Sequence, residues 1–411
     1  MDKADNKKRI LIVSHALELG GAERSLIGLL DAIDKEKYHI DLFLLRHEGE
    51  LLGMLPSHIN LLPEIPAYTV LARPMIRVLK EGHLLLCVAR MYGKLKAAFY
   101  DRRHHYRNSD VALEYSHKYT CPLMPEIQPK VVYDTAISFL TPHYFVAKKV
   151  HARKKIAWIH TDYTNVAVNV ASESAMWGAY DTIMAISDAS AQAFRKTFKN
   201  LKSNIVVMEN ILSQRFIKRQ AEEKCELNEK SLALLSIGRF CTAKNFDNVP
   251  HICRYLIEMG LDIKWYLIGF GNDEELIRSK IRENQMEEKV IILGKKSNPY
   301  PYIEACDLYV QPSRYEGKCV AVKEAQLLGK PVVITNYATS SSQLKDGIDG
   351  IIVPLDNKKC AEGIGALLRN PELMQKLSEN CSRHDYSNAA EIKKLEQIID
   401  KDYENKNNNV S

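Results

Sequence analysis

Residues 231–245 read Ser-Leu-Ala-Leu-Leu-Ser-Ile-Gly-Arg-Phe-Cys-Thr-Ala-Lys-Asn. Leu232–Ile237 is a short apolar run with a glycine directly behind it, the pattern of a strand buried on both faces. Arg239 and Lys244 follow in the turn, five residues apart. Arginine can fork onto two phosphate oxygens and lysine adds a mobile point charge, so two cations beyond the carboxyl end of a parallel strand suit a diphosphate. A pair of solvated surface cations is the plain alternative.

The same pattern repeats in both directions. Downstream, Lys264–Ile268, Val290–Leu293, Leu308–Gln311, Pro331–Ile334 and Gly350–Val353 read as strands. Upstream, Ile10–Val13, Ile40–Leu45, Ala136–Phe139, Ile156–Ile159, Thr182–Ala185 and Ile205–Met208 do the same. Stretches such as Ala22–Ile33 and Ala189–Phe198 carry apolar residues at helical spacing. This alternation predicts βαβ units and parallel sheets. Ser213–Ser231, charged and poor in apolar residues, separates the two series and marks a domain boundary. The expected fold is α/β: two tandem Rossmann-like doubly wound domains facing across a cleft. Residues 1–212 form the first, with a helical basic insertion at about 68–129, and residues 213–387 the second; 388–411 are a closing helix and a disordered tail.

With 46% hydrophobic and 26% charged residues, the 411-residue chain has the composition of a soluble globular protein. No apolar run is long enough to span a bilayer, and Ile10–Val13 is too short for a signal peptide. A cytoplasmic protein is expected. Nine scattered cysteines without Cys-x-x-Cys spacing point to reduced thiols, with neither a disulfide framework nor a zinc site. The net charge is only +6, but Pro74–Arg107 concentrates eight basic residues (Arg77, Lys80, Arg90, Lys94, Lys96, Arg102, Arg103, Arg107) against Glu81 and Asp101. Together with apolar Leu84–Val88 and the interleaved Tyr92, Phe99, Tyr100 and Tyr106, this segment is a candidate for an anionic membrane surface. A solvated helix face, or a contribution of Leu84–Val88 to the core, is the alternative. No recognition motif accompanies the basic residues, so nucleic acid is not an expected partner.

Three further places carry chemistry. Gly20-Gly21 sits between the first strand and its helix, where glycine permits close backbone approach and the helix start offers free N–H groups to an anion. A tight turn explains the pair equally well. Residues 312–325, Pro-Ser-Arg-Tyr-Glu-Gly-Lys-Cys-Val-Ala-Val-Lys-Glu-Ala, follow the strand Leu308–Gln311. Glu316 in the loop and Glu324 in the helix can accept from sugar hydroxyls, and the amides of Gly317, Lys318, Cys319 and Val320 can face phosphate or sugar oxygens. A solvated Glu324 is the alternative. His160 follows a strand; a lone histidine there is more often structural than catalytic.

Taken jointly, Gly20-Gly21-Ala22-Glu23, Gly238-Arg239 with Lys244, and Glu316 with Glu324 resemble the retaining GT-B glycosyltransferases of glycosyltransferase family 4, which build bacterial capsules, exopolysaccharides and lipopolysaccharides. The resemblance covers most of the chain except Tyr68–Pro129 and the tail. It implies transfer of a hexose-type sugar, with retention, from a nucleoside-diphosphate sugar (a UDP-sugar is favoured) to a glycan or lipid-linked acceptor. No cofactor and no metal are implied. Arg239 and Lys244 would hold the diphosphate, with Gly20 and Gly21 facing it. Glu324 would take the ribose, Glu316 and the amides after it the donor sugar, and His160 would lie beside the reacting sugar. The chain departs from the family at Lys318-Cys319, where Phe-Gly is common, which leaves the donor sugar open. A nucleotide-sugar epimerase of the same architecture and an inactive scaffold of a glycan-assembly complex are the competing functions.

Overall fold

The computed structural model describes residues 7–18, 20–69, 73–106, 109–161, 163, 166–227, 231–316 and 319–401. They form two compact units. One runs up to Ile211 and resumes at Ala389; the other is Leu212–Asn388.

The first unit is built on strands β1 (Lys8–Ser14), β2 (Tyr38–Leu44), β3 (Asn60–Leu61), β4 (Tyr133–Ser138), β5 (Ala152–Ile159), β6 (Thr182–Ala185) and β7 (Asn204–Val207). They lie in the order β3-β2-β1-β4-β5-β6-β7, and every pairing is parallel. Ile10, Leu11 and Ile12 of β1 are fully buried, as a central strand covered on both faces must be. The order reverses between β1 and β4, so the loops leaving those two strands diverge and open a crevice at the sheet's carboxyl edge. The closing helix Ile392–Asp400 belongs to this unit: Lys8 Nζ donates to Asp400 Oδ1 at 2.6 Å and Tyr38 Oη to Asp400 Oδ2 at 3.1 Å. The tail expected to be disordered lies outside the described residues.

The second unit has strands β8 (Leu232–Ile237), β9 (Ile263–Ile268), β10 (Val290–Gly294), β11 (Leu308–Gln311), β12 (Val332–Thr335) and β13 (Ile351–Val353). The order is β10-β9-β8-β11-β12-β13, again all parallel. Its reversal falls between β8 and β11, so the two loops singled out in the sequence leave the sheet at its switch point. A buried polar pair fixes these strands: Trp265 Nε1 donates to Ser236 Oγ (2.9 Å), which donates to the Val310 carbonyl (2.5 Å). The stretch Ser213–Ser231 is not a bare linker. It holds the helix Gln214–Ala221, capped by Ser213, whose Oγ accepts from Phe216 N at 3.0 Å. Ile217 and Ala221, one turn apart, are enough to bury one face of that otherwise charged helix.

The insertion lies between β3 and β4 and contains helices Pro66–Thr69, Met75–Lys80, Leu84–His104 and Val111–Thr120. Leu86, Cys87, Gly93 and Ala97 form the buried face of the longest of these. At Gly93 an added Cβ would lie 2.7 Å from the Tyr115 carbonyl oxygen, so glycine lets the last two helices approach closely. The opposite face is apolar and open: Leu85 is 70% exposed, Leu95 65% and Phe99 68%, with Val88 and Tyr92 completing a stripe at 3–4 residue spacing. Thus Leu84–Val88 contributes only Leu86 and Cys87 to the core. No described helix is long and apolar enough to cross a membrane.

In an ordinary helix interior, replacing glycine by alanine stabilises by about 1 kcal/mol. At Gly93 the sign reverses. Gly93→Ala is expected to lose roughly 1–2 kcal/mol through overpacking against Tyr115, which a thermal melt reads as a lower midpoint.

Candidate functional site

In the second unit the loops after β8 and β11 are stitched together. Arg314 forks onto Asp247, Nη1 to Oδ1 at 2.8 Å and Nη2 to Oδ2 at 2.7 Å, and its amide donates to the Ala243 carbonyl at 2.8 Å. Asn245 turns the first loop with a left-handed φ of 60°, a conformation that asparagine tolerates. Its Nδ2 donates to the Pro312 carbonyl at 2.8 Å. These contacts bring the cation at 244 to the carboxylate at 316: Lys244 Nζ donates to Glu316 Oε1 and lies 3.7 Å from Cys319 Sγ. A buried chain anchors the carboxylate from below. Tyr309 Oη donates to Gln311 Oε1 (2.8 Å), Gln311 Nε2 to Ser313 Oγ (2.9 Å), and Ser313 Oγ to Glu316 Oε1 (2.7 Å). Burial pulls the Lys244 ammonium down, but Cys319 and the Glu316 carboxylate outweigh it and hold its pKa above the ordinary lysine value. The cation is therefore charged at neutral pH.

Arg239 stands in the same loop, exposed, and among the described residues it has no hydrogen bond or ion pair. Gly317 and Lys318 lie outside the described residues. The amide of Cys319, expected to face a ligand, is taken: it donates to Gln343 Oε1 at 2.7 Å, and Gln343 Nε2 returns a bond to the Cys319 carbonyl at 3.3 Å. The gap is filled by a side chain from the helix Ser340–Gln343, which sequence spacing could not place. Val320 opens the helix Val320–Leu327 and is half-buried. Glu324, on that helix, is fully buried and accepts from Tyr300 Oη at 2.9 Å, so it is not a solvated helix residue. Among the described residues no group of three or more His, Cys, Asp or Glu side chains is placed to hold a metal ion.

In the first unit, Gly20 caps the helix Gly21–Ala32 without a side-chain bond. The Glu23 carboxylate lies over it, its Oε2 2.0 Å from where a Cβ would stand; at Gly21 an added Cβ would meet nothing within 4 Å. Glu23 thus folds over the helix start, and burial raises its pKa.

His160 follows β5 beside the Phe139 ring, 4.8 Å between centroids. Burial lowers its pKa to about 4, against a hydrogen bond to the Phe139 backbone, so the imidazole is neutral at pH 7. That bond engages Nδ1 as donor, since Nε2 is buried and has no partner among the described residues. His160 opens into a pocket walled by the helices Val111–Thr120 and Val170–Trp177 and the loops after β4 and β5. Asp110, Glu114 and Glu173 line the same pocket, and burial raises the Glu173 pKa to about 7. These carboxyls went unnoticed in the sequence because no motif links positions so far apart.

Residues 217–384 match the family model for glycosyl transferases group 1. The chain is 26% identical over 211 residues to the N-acetylgalactosamine-N,N'-diacetylbacillosaminyl-diphospho-undecaprenol 4-alpha-N-acetylgalactosaminyltransferase of Campylobacter jejuni, covering 51% of this chain and 56% of that protein. It is 25% identical over 179 residues to the UDP-Gal:alpha-D-GlcNAc-diphosphoundecaprenol alpha-1,3-galactosyltransferase of Escherichia coli, covering 42% and 46%. The matches thus span about half the length of these curated relatives. Among solved structures, S. aureus TarM, in complex with Fondaparinux, alpha-GlcNAc-glycerol and UDP, is similar with a TM-score of 0.64 at 13% identity, over 96% of this chain and all of that one. Residues 217–384 therefore match the glycosyl transferases group 1 family, and the chain's two parallel sheets have the fold of GT-B glycosyltransferases.

Proposed function

We propose that the chain is a retaining, metal-independent glycosyltransferase of family 4. In this proposal it moves a hexose-type sugar from a nucleoside-diphosphate sugar, with UDP favoured, to a glycan or lipid-linked acceptor in cell-surface polysaccharide synthesis. The observation that carries it is the placement of Arg239, Lys244 and Glu316 in two stitched loops at the switch point of the second sheet. The diphospho-undecaprenol acceptors named for the Campylobacter and Escherichia relatives support the lipid-linked acceptor, and the UDP bound to TarM supports the nucleotide.

Arg239, without a partner among the described residues, would fork onto the diphosphate, and Lys244 would turn from Glu316 toward the same charge. As the bond from the sugar's anomeric carbon to the diphosphate oxygen breaks, negative charge grows on the leaving group. Two cations set in a protein wall stabilise it without a divalent ion or cofactor. Glu316, held by the Ser313 and Gln311 chain, would take the donor's hydroxyls. Glu324 would accept from ribose if Tyr300 shares it. Neutral His160 would offer its Nε2 lone pair to a sugar hydroxyl, and the helix start at Gly21, where an added Cβ would meet nothing, would leave room for an anion.

The exposed stripe on Leu84–His104 supports a place on the cytoplasmic face of an anionic membrane, near lipid-linked substrate. Lys96, Arg102 and Arg103 lie on the same side of the helix as Leu85, Tyr92 and Phe99. Each cation near anionic lipid contributes about 1 kcal/mol.

Two measurements test this proposal. Arg239→Ala breaks no contact with a described residue, so its melting should stay within about 0.5 kcal/mol of wild type. Turnover of a UDP-sugar should fall roughly 10²–10³-fold. Near-normal turnover would remove the diphosphate clamp. Lys244→Ala should lose stability as well, because it strands the Glu316 carboxylate. For the membrane, the full chain should sediment with vesicles containing phosphatidylglycerol, less so at high salt. A Lys96→Glu, Arg102→Glu, Arg103→Glu variant should stay in solution; equal partitioning of the two proteins would dismiss the membrane.

A further inference from the structure

The loop that carries Glu316 is also held from behind, by side chains at the end of β12 and in the turn and short helix after it. Thr335 Oγ1 donates to the Ser313 carbonyl at 2.5 Å, and Thr339 Oγ1 to the Glu316 carbonyl at 2.7 Å. Gln343 brackets Cys319: its Oε1 accepts from the amide at 2.7 Å and its Nε2 donates to the carbonyl at 3.3 Å. The three braces stand four residues apart, at 335, 339 and 343, and their targets three apart, at 313, 316 and 319. Every one of these bonds ends on main chain, so together they fix the path of the loop. Gln343 is 5% exposed with both polar atoms taken, so whatever it does, it does through Cys319.

The last two targets are the residues that flank the Lys244 ammonium, which donates to Glu316 Oε1 and lies 3.7 Å from Cys319 Sγ. The grip on Cys319 therefore sets one side of the seat of that cation. With the Thr339 bond, it also limits how far the Glu316 backbone can drift from the other side. We propose that Gln343 is a positioning residue: by holding Cys319 at both its amide and its carbonyl, it keeps Glu316 opposite Lys244, and so shapes the end of the site that takes the donor sugar. The part about the sugar rests on the glycosyltransferase function above; the placement of Glu316 against Lys244 does not. The plain alternative is a cap, in which Gln343 satisfies the free amide ahead of the helix Val320–Leu327 and contributes stability alone.

Two measurements on the full chain test this. The first needs no ligand. Lys244→Met, Glu316→Gln and their double variant are melted in the wild-type background and again with Gln343→Met, which keeps the length of the side chain and removes both its bonds. In the wild-type background the two midpoint shifts should not add, the mark of an interacting pair; in the Gln343→Met background they should add. The second measures the Kd of UDP and of UDP-glucose, UDP-galactose, UDP-N-acetylglucosamine and UDP-N-acetylgalactosamine by calorimetry. Gln343→Met should leave UDP unchanged and weaken the UDP-sugar that wild type binds by roughly tenfold, the loss of a hydrogen bond to a charged group. Thr339→Val should weaken it too, and Thr339→Ser should restore it. If Gln343→Met fails to fold, Thr339→Val takes its place in both measurements, since its bond ends on Glu316 itself. Additivity already in the wild-type background, non-additivity that survives Gln343→Met, an unchanged UDP-sugar Kd, or equal losses for UDP and UDP-sugar each overturns the positioning role and leaves the cap. If wild type binds neither UDP nor a UDP-sugar while the melts behave as stated, the placement of Glu316 by Gln343 stands and the nucleotide-sugar donor falls.

Discussion

A parallel strand can be re-entered only from its own amino-terminal end, so each connection must cross back over the sheet and every loop that leaves a strand emerges at one edge. Both units obey this constraint throughout. In the second unit it sets the loops after β8 and β11 side by side, although 74 residues separate Ser236 from Val310, the pair whose hydrogen bond ties these strands. The proposed chemistry depends on that adjacency.

Adjacency alone would leave two polar loops facing water. Here they are fastened by side chains to which the proposed chemistry gives no part. Arg314 forks on Asp247, the Asn245 amide holds Pro312, and a buried line runs from Tyr309 to Glu316. This arrangement holds Lys244 charged beside Glu316 before any ligand arrives, so the charge itself is preset. Arg239 is the opposite case, with no described residue to hold it. One cation is tied within the protein and the other is left for a ligand to order.

The first unit applies the same sheet logic to different groups. Its insertion adds a helix pair packed through Gly93, one side bearing an open apolar stripe and the other walling the pocket at His160. Burial raises the pKa of Asp110 and Glu173 there. That pocket gathers carboxyl groups, where the loops of the second unit carry cations.

The sequence by itself determined the two-sheet α/β fold. Runs such as Leu232–Ile237 and Ile10–Val13 are apolar because central parallel strands have no solvent face, and that demand is local enough to read from spacing. It also singled out Arg239, Lys244 and Glu316, because cations and a carboxylate beyond strand ends follow from the same local pattern. Tertiary structure alone decided the rest. Cys319's amide is occupied by Gln343, Glu324 is buried against Tyr300, and the Glu23 carboxylate lies over Gly20. Glu114 meets His160 across a pocket that no spacing rule predicts. The reason is physical: burial and hydrogen-bond partners of these residues are set by elements distant in the chain, and packing, not propensity, brings those elements together.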